Sequence, residues 1–107
     1  MKYILNSAVI TTPGVYEYKI IDINEVKEWL EQGEVMNTIG YEETVKAFNE
    51  LFGTNYIVNR KMIQMETGDE AVVFRLTCRL EDVRLKGNLT KEFILKNCEI
   101  GLLKKLK

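Results

Sequence analysis

The chain is 107 residues long, with 46% hydrophobic and 29% charged residues. These values describe one ordinary globular domain, residues 1–107, with a single hydrophobic core. Fifteen basic residues against sixteen acidic ones give a net charge of −1, which disfavours binding to DNA through counterion release. No apolar run approaches the ~18 residues of a membrane span, and residues 1–10 lack a signal-peptide pattern. We therefore expect a cytoplasmic protein with no membrane partner.

Residues that could support metal or nucleophilic chemistry are few. The chain contains no histidine and two cysteines, Cys78 and Cys98, which do not form a Cys-x-x-Cys motif. Zinc sites are built from clustered cysteine and histidine ligands. The sequence also lacks a Ser/His/Asp set and a Walker motif. We expect two reduced thiols, with Cys78 buried, and neither a metal nor a cofactor.

The first third of the chain predicts two strands followed by a helix. Residues 2–10 form a strand-like apolar run, and residues 11–14 break it with turn-forming types. Tyr16–Ile20 alternate in polarity, as a half-buried strand does. Asp22 is placed to cap a short amphipathic helix, and Gly33 is typical of the left-handed residue that stops one.

The middle of the chain predicts a second helix and a hairpin. A turn at residues 37–40 leads into a helix over Glu42–Phe52, which a glycine ends. Residues 61–66 predict a short strand, and residues 71–80 a longer one with strict alternation. A short turn separates the two runs, so we expect them to pair as an antiparallel hairpin.

The end of the chain predicts a third helix and a last strand. Thr90 is placed to cap a helix that extends to about residue 97, and residues 100–106 form a strand or an extended tail. Strands and helices mixed without a βαβ rhythm indicate an α+β domain. We expect a mixed or mainly antiparallel sheet with about three short helices packed on it.

The alternation of residues 71–80 places Arg75 and Arg79 on one face of their strand. Guanidinium groups bind phosphate oxygens in pairs and stay charged at any working pH. This face therefore suits an anion. The alternative is a solvated polar face in which the arginines pair with Glu66 or Glu81, because antiparallel sheets often leave one face in water.

The start of the second helix is another candidate anion site. The helix that follows Gly40 exposes backbone N–H groups and the positive end of its dipole, and Thr44 adds a hydroxyl donor. Glu42 and Glu43 would compete with an anionic ligand, so an ordinary helix start is an equal alternative. Arg60 precedes the predicted short strand and by itself is uninformative.

Taken together, several segments resemble the viral ring-nuclease family of type III anti-CRISPR proteins, which has relatives in bacterial mobile elements. Their order and spacing follow the family over nearly the whole chain, although no single motif is specific. The segments are Leu5-Asn6-Ser7, Asn37-Thr38-Ile39-Gly40-Tyr41-Glu42-Glu43-Thr44, Asn59-Arg60, Gly68-Asp69-Glu70-Ala71, Arg79-Leu80-Glu81-Asp82 and Gly101-Leu102-Leu103.

The resemblance implies a two-fold homodimer that binds a cyclic oligoadenylate, cyclic tetra-adenylate in the first place, in a pocket across the dimer interface. In the family the ribose 2′-hydroxyl attacks the adjacent phosphate without a metal, which destroys the messenger of the CRISPR system. Arg79 matches the arginine that steadies the attacked phosphate, and Asp82 stands where the family usually has glutamate. Asn6, Thr44 and Arg60 match ligand-binding positions of the family, and Ser7, Gly40 and Arg75 complete the predicted ligand-binding set.

Tyr41 is the main departure from the family, because it occupies the place of the histidine that protonates the departing 5′-oxygen. Tyrosine side chains titrate near pH ~10 and release a proton reluctantly, and general acid catalysis is typically worth ~10²–10⁴ in rate. We therefore expect a protein that sequesters the ring, with weak or absent cleavage. Two alternatives stay open, which are an active ring nuclease in which Tyr41, Arg79 and Asp82 are catalytic, and a protein-interaction module that keeps only the fold.

Overall fold

The computed structural model describes residues 1–77 and 90–107. Within them, five strands form one sheet and three helices pack on it, so the predicted single α+β fold is confirmed. The strands are β1 (Lys2–Leu5), β2 (Tyr16–Ile20), β3 (Met36–Asn37), β4 (Glu70–Leu76) and β5 (Cys98–Lys105). The helices are α1 (Ile23–Glu31), α2 (Glu42–Phe52) and α3 (Lys91–Lys96).

The sheet is mixed, with the strand order β2-β5-β4-β1-β3. β1 lies between β3 and β4 and is parallel to both, whereas β5 lies between β2 and β4 and is antiparallel to both. β4 is therefore the central strand. Its residues 71–74 are all buried, as expected for a strand that is covered on both faces.

The three helices cover one face of the sheet with apolar side chains. Phe48 of α2 is 1% exposed, and its ring centroid lies 5.4 Å from that of Phe74 on β4 and 4.6 Å from that of Phe52. Trp29 of α1 is also buried, and its indole N–H donates to a Glu70 carboxylate oxygen at 2.8 Å. The sheet residues of this cluster are Ile4, Val72, Phe74, Ile100 and Leu102.

The opposite face is covered by irregular chain instead of helices. Met65 is fully buried there, packed with Tyr3, Ala71, Val73 and Leu103. Hydrogen bonds hold this cover in place, because Met65 N–H donates to Thr11 Oγ1 at 2.8 Å and Lys105 Nζ donates to Thr12 Oγ1 at 2.7 Å and to the Met65 carbonyl at 3.2 Å.

The predicted hairpin of residues 61–66 and 71–80 is wrong. Residues 61–66 form no strand, and β4 pairs with β1 on one side and β5 on the other. Both edges of β4 are occupied by partners distant in sequence, so the neighbouring segment is displaced onto the sheet face. There it contributes Met65 and Ile63 to the second apolar cluster.

Two other predicted strands differ in length from the observed ones. β1 ends at Leu5, not at residue 10, because the chain leaves the sheet at Asn6. β4 ends at Leu76 within the described residues, and the remainder of the predicted strand, from residue 78 to residue 80, lies outside them. The last strand begins earlier than predicted, at Cys98, where it pairs with Leu76.

The predicted helix caps are observed. Asp22 and Glu25 form a capping box, and Thr90 Oγ1 accepts from Phe93 N–H at 3.2 Å. Gly53 ends α2 with a left-handed φ of 65°. α1 has Gln32 as its C-cap, and Gly33 follows directly with a positive φ of 140°. In the described part of the chain, none of these helices is long and apolar enough to cross a membrane.

Cys98 is a free, half-buried thiol at the start of β5, and its burial raises its pKa. The thiolate is therefore disfavoured there, which makes this cysteine less reactive than an exposed one. The other cysteine, Cys78, lies outside the described residues.

Candidate functional site

Gly40, Tyr41 and Arg60 come together at the start of α2. The Arg60 guanidinium carbon lies 5.9 Å from the centroid of the Tyr41 ring, within the range of a cation–π contact. Gly40 allows the approach, since a Cβ atom built on it would lie 2.6 Å from Arg60 Cβ and Cγ. Three residues from the predicted ligand-binding and catalytic sets therefore share one surface.

Two asparagines hold the Arg60 segment against the turn that precedes α2. Asn59 N–H donates to the Ile39 carbonyl at 3.1 Å, and its side-chain amide donates to the Asn37 carbonyl at 2.9 Å. In return, the Asn37 amide donates to the Ile57 carbonyl at 2.7 Å. These bonds are a feature that sequence reasoning missed, although both asparagines stand in segments that were singled out. Asparagine is typical of turns, which gives no indication of the partner.

The end of β1 lies beside the same turn. Thr38 donates twice to the Ile4 carbonyl, from its N–H at 3.0 Å and from its hydroxyl at 2.8 Å. Asn6 and Ser7 follow directly, where the chain leaves the sheet; Asn6 is half-buried and Ser7 is exposed. This edge of the sheet therefore brings the predicted polar residues Asn6 and Ser7 into the region of Gly40.

The α2 N-terminus carries Tyr41 as its N-cap residue without a side-chain cap hydrogen bond. The Tyr41 side chain does not cap the helix and is 45% exposed. Glu42 forms an i,i+4 ion pair with Lys46 at 3.2 Å, which offsets part of its negative charge near the helix start. Thr44 is 5% exposed and lies among the buried residues of α2, so its hydroxyl is not on the open surface.

Arg75 lies apart from Arg60, on the face of β4 opposite Phe74. Its guanidinium contacts a Glu99 carboxylate oxygen of β5 at 3.2 Å, and Arg75 and Glu99 are directly opposite in the β4–β5 register. The alternative of a solvated ion-paired face thus holds for Arg75, with Glu99 as its partner instead of Glu66, whereas Glu81 lies outside the described residues. β1 and β4 pair at Leu5 and Val73, so Arg75 stands at the level at which Ser7 leaves the sheet.

Two predicted catalytic residues, Arg79 and Asp82, lie outside the described residues. In the sequence, Arg79 comes three positions and Asp82 six positions after Leu76, the last residue of β4. Arg79 and Asp82 therefore remain predictions from the resemblance. In the described ranges, 1–77 and 90–107, no group of three acidic or cysteine side chains is placed to hold a metal ion.

Two cavities are lined by residues close in sequence to Arg60. The larger, of about 540 Å³, lies between α2 and the following segment, and the smaller, of about 180 Å³, lies between the loop after β1 and residues 61–63. Side chains that line the larger cavity include Val45, Tyr56, Ile57 and Val58. Those of the smaller include Leu5, Val9, Thr38, Lys61 and Met62.

Exposed apolar side chains line these cavities or stand next in sequence to residues that do. We name them the apolar rim, defined as Val9, Ile10, Ile57, Val58 and Met62. Met62 is 97% exposed and Ile57 is 79% exposed. Several large apolar side chains exposed in one region are typical of an interaction surface. Sequence reasoning did not find this rim, because residues 61–66 and 2–10 were assigned to strands that would bury half of it.

Comparison with known proteins gives the family. The family model described as STIV B116-like matches residues 2–99 of the chain. An uncharacterized protein of Bacillus subtilis, YddF, is 35% identical over 74 residues, which is 67% of this chain and 68% of YddF. Uncharacterized protein 26 of a Sulfolobus islandicus filamentous virus is 35% identical over 86 residues, or 77% of this chain and 73% of that protein.

A solved structure has the same fold as this chain. B116 of Sulfolobus turreted icosahedral virus superposes with a TM-score of 0.78 at 23% identity, and the match covers 96% of this chain and 97% of B116. At this identity the likeness shows the fold alone. With the family model extending over most of the chain and with viral and bacterial relatives at 35% identity, the protein belongs to the STIV B116-like family.

Proposed function

We propose that this protein binds a cyclic oligoadenylate, cyclic tetra-adenylate in the first place, and counteracts type III CRISPR signalling by sequestering it. The observation that carries the proposal is the Arg60 guanidinium held over the Tyr41 ring at the start of α2. A cation, an aromatic face and a helix N-terminus are the groups that phosphate and adenine require. The ring-nuclease resemblance of the sequence supplies the identity of the ligand.

The phosphate would be bound by Arg60 together with the first backbone N–H groups of α2. Arginine pairs with phosphate oxygens in a bidentate way, and a helix N-terminus adds aligned N–H donors and a positive dipole end. Adenine would stack on the Tyr41 ring, whose 45% exposure leaves a face accessible. Asn6 and Ser7 would add neutral polar contacts from the end of β1.

Cleavage is expected to be weak or absent because of Tyr41. The attack of a ribose 2′-hydroxyl on its phosphate needs an acid for the departing 5′-oxygen, and a phenol is a poorer acid near pH 7 than an imidazolium. Binding does not need this proton. The substitution therefore separates capture of the ring from its cleavage.

The proposal includes a homodimer in which the apolar rim is covered by a second copy of the chain. The rim borders the Arg60 region and is too apolar to be an ordinary solvated surface. A cyclic tetranucleotide has a two-fold axis of its own, so it can contact the same residues of each subunit when the two protomers are related by a two-fold axis. The rim and the site would then be buried in the same event.

Isothermal titration of the purified protein with cyclic tetra-adenylate tests the binding. Arg60→Ala should weaken affinity by about tenfold to a hundredfold, because hydrogen bonds to a charged group contribute ~1.5–3 kcal/mol. Lys27→Ala is the matched control, since it removes one positive charge from an exposed position of α1. Equal losses for both variants would contradict a specific role for Arg60 and indicate only long-range attraction.

The presence of Arg79 favours the ring-nuclease alternative. The variant Tyr41→His distinguishes this alternative from sequestration. If capture without cleavage is the native function, the imidazole should increase ring cleavage by up to ~10²–10⁴. If Tyr41 is itself the working acid, the same change should reduce cleavage. Chromatography of the reaction products after incubation without added metal measures either outcome.

A further inference from the structure

β2 forms an edge of the sheet, at the opposite side from β3. Val15 N–H donates to the Lys107 carbonyl and Ile21 N–H donates to the Ile100 carbonyl, both at 3.0 Å. Backbone groups of an antiparallel strand alternate in direction. The odd-numbered residues of β2 therefore point their N–H and C=O groups at β5, and Tyr16, Tyr18 and Ile20 point theirs away from the sheet.

This edge is not protected in the ways that edge strands usually are. β2 contains no proline, and it has no residue with positive φ that would indicate a bulge of the glycine type. Tyr18 is 40% exposed and Ile20 is 62% exposed. The Tyr18 side chain lies over Gly101, where an added Cβ would be 2.3 Å from the ring, so it does not cover the backbone edge.

We propose that the β2 edge is a second self-association surface, which pairs antiparallel with β2 of another copy about a two-fold axis at Tyr18. The outward backbone groups of Tyr16, Tyr18 and Ile20 can meet those of a second copy only in registers that pair even-numbered residues with each other. With the axis at Tyr18, Tyr18 pairs with its own copy and Tyr16 pairs with Ile20. All three outward residues are then bonded.

Charge selects the same register. With the axis at Tyr18, Glu17 lies directly opposite Lys19 of the other copy, and this occurs twice across the two-fold. Moving the axis by one residue pairs Glu17 with Glu17 or Lys19 with Lys19 and leaves one outward residue unpaired on each strand. Opposite charges across a strand pair stabilise it and like charges destabilise it. The sequence Tyr16-Glu17-Tyr18-Lys19-Ile20 is thus self-complementary in one antiparallel register.

Neither charge is committed to an ion pair within the described ranges. Glu17 stands opposite Lys104 of β5, and Lys19 stands opposite Leu102. A lysine in the middle of an exposed edge commonly prevents pairing, but in this register Lys19 meets a carboxylate on each partner. The second copy is therefore the occupant that the charge pattern fits.

The proposed edge pairing does not depend on the proposed ring binding. The apolar rim includes Ile57, which is hydrogen-bonded to Asn37 of β3, at the other edge of the sheet. The two surfaces can thus be occupied at the same time. Joining protomers through both would give tetramers or longer assemblies, whereas either alone gives dimers.

Sedimentation velocity of the full chain over a range of concentrations, at low salt, tests the pairing. Glu17→Lys and Lys19→Glu each place like charges opposite one another, and each should weaken the association at β2 by about tenfold or more. An equimolar mixture of the two variants should regain it, because a strand with two lysines then meets a strand with two glutamates. The double variant Glu17→Lys with Lys19→Glu should also associate as the original chain does.

The matched control is Lys27→Glu, which reverses a charge on the exposed surface of α1. If both single variants sediment as the original chain does, or if mixing them restores nothing, the edge pairing is overturned. A failure of the rim dimer is distinguishable, because the step controlled by position 17 would then be from one copy to two instead of from two copies to four.

Oxidative cross-linking gives a second measurement that does not rely on charge. A cysteine at position 18 should cross-link to its own copy, because directly opposite residues have Cα atoms ~5.5 Å apart, within disulfide reach. Tyr18→Cys should therefore give a covalent dimer on a non-reducing gel. Glu17→Cys should not, since the two copies of position 17 are offset by two residues along the strands. Equal cross-linking at both positions would contradict the register.

Discussion

The two faces of the sheet are built differently. The face under the helices is closed mainly by apolar side chains, with Phe48, Phe74 and Ile94 at its centre, each 1% exposed or less. The opposite face is closed by extended chain that hydrogen bonds hold down, and Lys105 is the buried donor among them. The helix face thus supplies stability. The opposite face, with the loops at the end of the sheet where β1 stops, carries Asn6, Arg60 and the apolar rim.

This division indicates where change is tolerated. Close packing of large side chains makes the helix face sensitive to the loss of any one of them. A loop held by a few hydrogen bonds can vary its exposed residues as long as those bonds persist. The candidate site is therefore placed on the part of the molecule where substitutions should affect stability least.

The largest expected effect comes from the helix face. Phe48→Ala should reduce the free energy of unfolding by about 3–5 kcal/mol, because it removes a buried ring in contact with Phe52, Tyr56 and Phe74. Urea unfolding followed by Trp29 fluorescence measures it. Leu95→Ala, at a 50% exposed position of α3, is the control and should change stability by less than ~0.5 kcal/mol.

A smaller effect is expected from the opposite face. Lys105→Met keeps the length of the side chain and removes its donor to Thr12 Oγ1 and to the Met65 carbonyl. The Met65 carbonyl keeps a donor in the Thr12 hydroxyl at 2.6 Å, so the cost is that of the lost hydrogen bonds from a charged donor, about 1.5–3 kcal/mol. The same urea titration measures the loss. A variant as stable as the original chain would contradict the view that hydrogen bonds hold this face closed.

Gly40→Ala should affect the site more than the fold. The added Cβ would meet Arg60 Cβ and Cγ at 2.6 Å, so the Arg60 segment must move away from Tyr41. We expect a loss of stability of about 1–3 kcal/mol at most. Affinity for cyclic tetra-adenylate should fall more than it does in the control variant Gly53→Ala. At Gly53, which ends α2, an added Cβ meets no neighbouring atom, although φ is left-handed. An unchanged affinity would exclude the Gly40–Arg60 approach from the site.

The smallest expected effect concerns pH. Burial by itself would raise the Asp69 pKa, but the hydrogen bond from Glu66 N–H and the N-terminal ammonium at 2.9 Å lower it, and the net pKa lies below the usual value. The stability from this carboxylate is full above the ordinary carboxyl pKa and is lost as pH falls through the lowered one. Asp69→Asn should cost about 1 kcal/mol near pH 7 and flatten the acid dependence of unfolding. An equally steep acid dependence would refute this role.

The sequence predicted the helices well because their signals are local. Asp22 with Glu25, Thr90 and Gly53 each act within one helical turn, and all three form the expected caps. The strands depend on distant partners. Nothing near residues 61–66 indicates that β1 and β5 occupy both edges of β4, and this is why the predicted hairpin is wrong.

The candidate site was predictable only in part for the same reason. Alternation placed Arg75 opposite Phe74, but its partner Glu99 comes from a strand paired across a long separation in sequence. The approach of Arg60 to Tyr41 depends on the bonds from Asn59 to the Asn37 carbonyl and from Asn37 to the Ile57 carbonyl, which no spacing indicates. The sequence therefore predicted which residue types belong to the candidate site. Their contact partners could be identified only from the folded structure.

The central claim is capture of the ring without its cleavage. The measurement that tests it most directly is incubation of the purified protein with radiolabelled cyclic tetra-adenylate, without added metal. Retained complex is measured on a native gel, and products are measured by chromatography from the same tube. We predict a retained and intact ring. Linear products at a substantial rate would contradict sequestration and establish a ring nuclease that works without histidine, and neither retention nor products would leave only a protein-interaction module with this fold.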